Sequence, residues 1–206
     1  ELVEKYIRAS GAIPSCLGYG GFPASACVSV NEVVVHGIPD DTPIKDGDIV
    51  SVDLCAYKNG FHGDACRTFA IGNVSAEKAQ LVKVTEECFF KGIDGVRAGT
   101  PLYDIGYRVQ KHAESFGYGV VRGYTGHAIG KEMHEDPSVP NFGRLGTGMR
   151  LRAGMVLCVE PMITLGNFRV KTLADGWTAV TQDGKSAAHY ENTLVVREDG
   201  VEILTL

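Results

Sequence analysis

Two acids and a histidine recur at matched places in the two halves of this 206-residue chain. In the first half, GDIVSVD carries Asp53 six residues after Gly47, and HGD carries Asp64 two after His62. In the second half, GMVLCVE carries Glu160 six residues after Gly154, and HYE carries Glu191 two after His189. A His-x-Ile segment precedes each pair, with His36 in HGIP and His127 in HAIG. Drawn together, the four carboxylates need partners, because an unpaired carboxylate is costly to bury. No basic run in the sequence is placed to offset them, so bound cations are the economical answer. With His127 supplying an imidazole, the donor set is too oxygen-rich for a structural zinc site. It suits Mn, Fe, Co or catalytic Zn, held as a pair of divalent ions about 3.5–4 Å apart in the manner of a two-metal hydrolase.

The elements that must position these residues can be read around them. Asn59-Gly60 is a two-residue turn signal. It pairs Lys58 with Phe61, sets Cys55 opposite Asp64, and sets Asp53 opposite Cys66. The two aspartates then share one face of a hairpin as diagonal neighbours, about 7–8 Å apart along the backbone. A helix is predicted from Ser75, as N-cap, to Val96. A second is predicted from Thr100 to Phe116, with Thr100 as N-cap and Pro101 at the first helical position. At the start, Leu2, Val3, Tyr6 and Ile7 recur at helical spacing in a segment ending near Ala12. The remaining apolar runs, such as EVVVH, DIVSVDLCAY, MVLCVEPMI and ENTLVV, read as strands.

The order of helix, His-x-Ile, glycine-led strand ending in an acid, and His-x-acid strand occurs twice. This predicts an α+β fold made of a duplicated unit with pseudo-twofold symmetry, whose equivalent acids converge on a central site. One domain is expected over 1–206. The repeat also leads us to expect that the chain lacks, at its N-terminus, the counterpart of the Ser75–Val96 helix.

Composition narrows the function classes. Hydrophobic residues make up 44% and charged residues 22%, an ordinary globular balance. A net charge of -5 with both signs interspersed is no nucleic-acid footprint. No apolar run approaches membrane-spanning length, and no signal peptide opens the chain. None of the six cysteines forms a C-x-x-C pair. Free thiols fit a reducing cytoplasm, where this protein is expected. Cys27, Cys55, Cys66, Cys88 and Cys158 are read as buried and inert.

Long stretches then carry a specific resemblance. CLGYGGFPASACVSVNEVVVHGIPD, IKDGDIVSVD, NGFHGD, GHAIGKEMHEDPSVPNFG, GMVLCVEPM and DGKSAAHYENTLVV resemble the methionine aminopeptidases, from Cys16 to the C-terminus. The short stretch between Met133 and Glu160 is similar to type I enzymes of bacterial form. The resemblance implies a pita-bread fold, with an antiparallel-rich central sheet and helices outside. It implies Asp53, Asp64, His127, Glu160 and Glu191 as ligands of two divalent ions (Co, Mn, Fe or Zn). It also implies hydrolysis of the initiator methionine from nascent chains whose second residue is small. Partners would be N-terminal methionyl peptides, met in transient association with the ribosome. No membrane partner is expected, and a monomer is.

By the same resemblance, Glu160 relays the proton of the attacking water, His134 stabilises the oxyanion, and His36 serves the substrate backbone and proton transfer. Cys16, Tyr19, Phe22, Met133 and Trp177 would line the methionine pocket. Phe22 stands where well-known bacterial members have tyrosine, and Met133 where they have phenylalanine. Of the remaining histidines, His62 and His189 stand two residues before ligands on the same strand face, where a role in supporting the ligands is open and exposure or simple packing is favoured; His112 is read as a surface helix residue. The nearest alternative is an Xaa-Pro aminopeptidase or prolidase of the same fold. A binding protein that has lost its metals is a further alternative, set against the presence of all five ligands.

Overall fold

A computed structural model describes residues 1–206. In chain order, the first half contains α1 (Leu2–Ala9), β1 (Ile13–Pro14), β2 (Cys27–Val30), β3 (Val33–Val35), β4 (Ile49–Lys58) and β5 (Phe61–Ala70). Two helices follow, α2 (Ala76–Ile93) and α3 (Tyr103–Ser115). The second half contains β6 (Gly119–Val120), β7 (Gly126–Ala128), β8 (Glu135–Val139), β9 (Val156–Val159), β10 (Met162–Thr164), β11 (Val170–Thr172), β12 (Ala179–Thr181), β13 (Ala187–His189), β14 (Glu191–Val196) and β15 (Val201–Ile203).

The central sheet runs β1-β4-β5-β14-β9-β7-β8, with β2 also on β4 and β15 on β14. Its pairs are antiparallel. The duplication is visible in this order. β2-β4-β5 from the first half meets β14-β9-β7 from the second along the β5–β14 seam, and each strand has its counterpart at equal distance from the seam. Two three-stranded sheets, β13-β10-β6 and β11-β12-β3, complete the fold.

Strand alternation sorts the two faces of the central sheet. Leu157, Val159, Leu194 and Val196 point to one face and pack with Phe89 and Ile93 of α2 and Ile105 of α3 in the largest core cluster. Cys158 and Glu160, with Glu191 and Thr193, therefore point to the other. The helices back the sheet and the acids occupy the opposite face.

The hairpin register is the expected one: Lys58 pairs with Phe61, Cys55 with Asp64, and Asp53 with Cys66. Asn59 and Gly60 both take positive φ, 52° and 91°, as a tight I′-type turn demands. Ser75 caps α2, its side chain accepting a bond from the Lys78 amide. The start of α3 differs from the expectation. Thr100 and Pro101 lie outside the helix, which begins at Tyr103. Pro101 bridges Arg150, the Leu151 amide bonds the Thr100 carbonyl, and the Leu102 amide bonds the Met149 carbonyl. Pairing with this distant segment overrides the local capping signal. In α1 only Ile7 is buried, while Leu2 and Tyr6 are exposed.

Candidate active site

The acids are set in two rows across the sheet. Asp64 lies opposite Cys55 on β4, and its main chain exchanges two 2.9 Å bonds with the Thr193 hydroxyl on β14. Thr193 in turn lies opposite Cys158 on β9, and Cys158 opposite His127 on β7. The second row holds Asp53 opposite Cys66 and Cys66 opposite Glu191. Glu160 follows two residues after Cys158 and so shares its face. At the end of the first row, close approach is essential: a β-carbon on Gly126 would run into the Cys158 carbonyl. Glycine at 126 lets β7 lie against β9 and brings His127 into the row.

All five expected ligands therefore meet. Ligand atoms of Asp64, His127, Cys158 and Glu191 lie within 4.8 Å of one another. His127 Nε2 is 3.6 Å from Glu160 Oε1. Asp64, His127, Glu160 and Glu191 are buried. Asp64 Oδ1 and Glu191 Oε1 have no hydrogen-bond partner. Burial, followed by the charge of neighbouring groups, pushes all four acids upward. Asp64 rises to about 7, and Asp53, Glu160 and Glu191 rise well above the usual carboxylate range. Burial also lowers His127 to about 4. Carboxylates that resist ionising beside an imidazole that resists protonation form a set completed by cations. The orphaned oxygens and the mixed O/N donors fit divalent metal.

Two adjoining cavities open over the rows. A polar one of about 280 Å³ is bordered by Asp53, Asp64, His127, Glu160 and Glu191 together with Tyr124 and Met162. A mainly apolar one of about 210 Å³ is lined by Cys16, Tyr19, Phe22, Met133 and Trp177, the five residues expected there. Cys27, buried as expected of a core residue, also borders this cavity. His36, Asp53, Asp64 and His134 border both cavities. His36 takes a left-handed φ of 58°, uncommon outside glycine and frequent at functional sites. Its ring stands edge-on to Tyr124, 5.3 Å between centroids, and to Trp177 at 6.3 Å. The following Gly37 is obligatory, since a β-carbon there would meet the Val28 carbonyl. His134 stacks at a tilt on His127 with centroids 4.3 Å apart.

The profile of metallopeptidase family M24 matches residues 1–198. The chain is 58% identical over 207 aligned residues to the methionine aminopeptidase of Clostridium acetobutylicum, covering 100% of this chain and 83% of that protein. The chain belongs to the methionine aminopeptidases. The crystal structure of methionine aminopeptidase from Rickettsia prowazekii superposes with a TM-score of 0.97 at 46% identity, covering 100% of this chain and 83% of that one. The pita-bread architecture expected of methionine aminopeptidases is thus the fold of this chain. Prolidase from Pyrococcus furiosus gives a TM-score of 0.71 at 22% identity, covering 88% of this chain and 48% of that one, a likeness of fold alone. Metal dependence comes with membership of the M24 methionine aminopeptidases. No helix is long and apolar enough to cross a membrane.

Two neighbours of the acids lie outside the expected site residues. His189 is only 2% exposed, with Nε2 3.7 Å from Glu160 Oε2. Of the two readings favoured for this residue, exposure does not hold: it is packed among the acids. Cys158 is fully buried within the acid cluster. His62 Nδ1 lies 2.8 Å from Ser15 Oγ and 4.0 Å from Cys55 Sγ. His112 bonds Glu87 at 2.9 Å and is partly covered rather than freely exposed.

Proposed function

We propose that this chain removes N-terminal methionine from peptides whose second residue is small, with two divalent ions held by Asp53, Asp64, His127, Glu160 and Glu191. One observation carries the reading: the apolar cavity suited to a thioether and the polar cavity of acids share His36, Asp53, Asp64 and His134. A methionine seated in the first would present its carbonyl at the second. The bound ions would lower the pKa of water and polarise the scissile carbonyl.

The chain's own groups do the rest. Glu160, with oxygens near His127 and His189, takes the water's proton at its carboxylate and passes it toward the leaving amine. The Tyr19 hydroxyl lies 2.7 Å from His134 Nδ1. Donation from that hydroxyl leaves the opposite ring nitrogen as an N–H donor for the developing oxyanion. His36 orients the substrate backbone and serves proton transfer to the departing amine. The soft walls of Cys16, Cys27 and Met133, with Tyr19, Phe22 and Trp177, exclude water and favour sulfur contacts with the methionine side chain. On this reading residues 1–206 act as a single peptidase domain and a monomer, meeting nascent chains at the ribosome in the cytoplasm.

The test is methionine release from Met-Ala-Ser, Met-Lys-Ser and an Xaa-Pro peptide by chelated protein resupplied with Mn, Co, Fe or Zn. Metal-restored cleavage of Met-Ala-Ser, with Met-Lys-Ser and the Xaa-Pro peptide spared, is the expected outcome. Cleavage of the Xaa-Pro peptide alone, or of Met-Ala-Ser without metal, would refute the reading.

A further inference from the structure

His189 ends β13, one residue before β14 carries Glu191 into the site. Its Nε2 lies 3.7 Å from Glu160 Oε2 and 4.0 Å from Glu191 Oε2, and has no hydrogen-bond partner. The other oxygen of Glu160 stands 3.6 Å from His127 Nε2, so the carboxylate is bracketed by two imidazoles. The His189 main chain is clamped to β5. Its amide donates to Thr68 Oγ1 at 3.0 Å, and the Thr68 hydroxyl donates to its carbonyl at 2.8 Å. Thr68 Oγ1 is also 2.7 Å from Ser51 Oγ on β4. The strand therefore holds the ring in one place. Behind it lies a cavity of about 130 Å³ bordered by Arg67, Phe69 and Val82. An imidazole aimed at two carboxylates has a polar task.

We propose that His189 is a positioning residue for Glu160. A small shift of the Glu160 carboxylate in the metal-loaded site would close the 3.7 Å gap, so that Nε2–H donates to Oε2, with Glu191 as the alternate acceptor, and keeps Glu160 Oε1 turned toward His127. This rests on the reading of Glu160 as a metal ligand. Groups that orient ligands typically account for about 10–100-fold in metal affinity or activity.

The experiment compares His189→Gln, which offers an N–H near the Nε2 position, with His189→Leu, which offers none. Mn affinity is measured by calorimetry on chelated protein, and kcat and KM on Met-Ala-Ser. His189→Leu should weaken Mn binding about 10–100-fold and lower kcat with KM changed by less than about threefold. His189→Gln should retain both within about threefold of the wild type. If His189→Leu does not fold, His189→Asn replaces it, since its shorter amide reaches only the Nδ1 position. Wild-type behaviour in the variant without the donor, or equal damage in the Gln variant, would overturn the proposal. A wild-type protein that neither binds Mn nor releases methionine would instead overturn the functional reading beneath it.

Discussion

The Tyr19 hydroxyl lies 2.7 Å from Nδ1 of His134, joining the wall of the apolar cavity to the imidazole beside the acids. On the proposed function, donation from this hydroxyl leaves Nε2–H of His134 facing the substrate. His134→Ala should lower kcat by about 10²–10³, the usual cost of an oxyanion donor. Metal content should stay at the wild-type level, because His134 is outside the proposed ligand set. Tyr19→Phe should give a smaller loss of kcat. Loss of metal from His134→Ala, read by elemental analysis, would place that histidine among the ligands instead.

Metal-free protein should lose stability as pH rises from 6.5 to 8.5. The folded-state pKa of Asp64 is about 7, and those of Asp53, Glu160 and Glu191 also stand well above their ordinary values. Raised acids bind more protons folded than unfolded. Their contribution is complete below about pH 4, the unfolded value, and is lost as pH passes the folded values. The lowered histidines act in the opposite sense, but only below about pH 6.5, where the unfolded imidazole charges. Thermal melts with chelator should therefore show Tm falling across this window, and Mn should raise Tm more at pH 8.5 than at pH 6.5. A chelated protein that melts higher at pH 8.5 would contradict the electrostatics.

Trp177→Ala should impair binding of methionine and leave the metals alone. The indole stands 5.2 Å from Phe22, edge-on, and lines the apolar cavity away from the ligand rows. Losing its apolar contact with the substrate should remove about 1.5–3 kcal/mol, or ten- to hundredfold in kcat/KM. Steady-state kinetics with a Met-Ala peptide, paired with Mn calorimetry, separates the two effects.

Gly126→Ala should both destabilise the fold and weaken metal binding. The added methyl meets the Cys158 carbonyl, a backbone atom that cannot swing away. β7 must move off β9 and take His127 with it. The expected cost is about 1–3 kcal/mol, typical of overpacking. A melt combined with calorimetry would test it, and unaltered Mn affinity would show that His127 tolerates the shift.

Legibility in the sequence followed the range of the interactions involved. The β4–β5 hairpin was readable because Asn59-Gly60 sets its register over a few residues. The matched acids were readable because duplication left the same spacing twice. The start of α3 was not, because the Thr100–Leu102 backbone bonds a segment some fifty residues on. That His189 and Cys158 share a strand face with Glu191 and Glu160 was readable from their spacing of two. Which groups across the sheet each meets was not, because that depends on β14 lying against β5 and β9, a register that no local turn encodes. Cys27 sits in an apolar strand and is 6% exposed, so nothing in its neighbours marks it as a cavity wall.

The β5–β14 seam also bears on the order in which the molecule folds. Arg67 donates to the Glu191 carbonyl across 124 residues, so this pairing closes a very long loop. Such contacts form late and slowly, because loop-closure entropy is spent before they give any return. Asp53 and Asp64 leave the ribosome long before Glu160 and Glu191, and until the seam zips they are half of a cation cage. Ions that bind only once both pairs of acids are together would latch an almost finished fold and take no part in nucleation. Interactions that form only after the transition state slow unfolding and leave refolding unchanged. Chelation should therefore raise the unfolding rate at every denaturant concentration in stopped-flow and leave the refolding rate where it was.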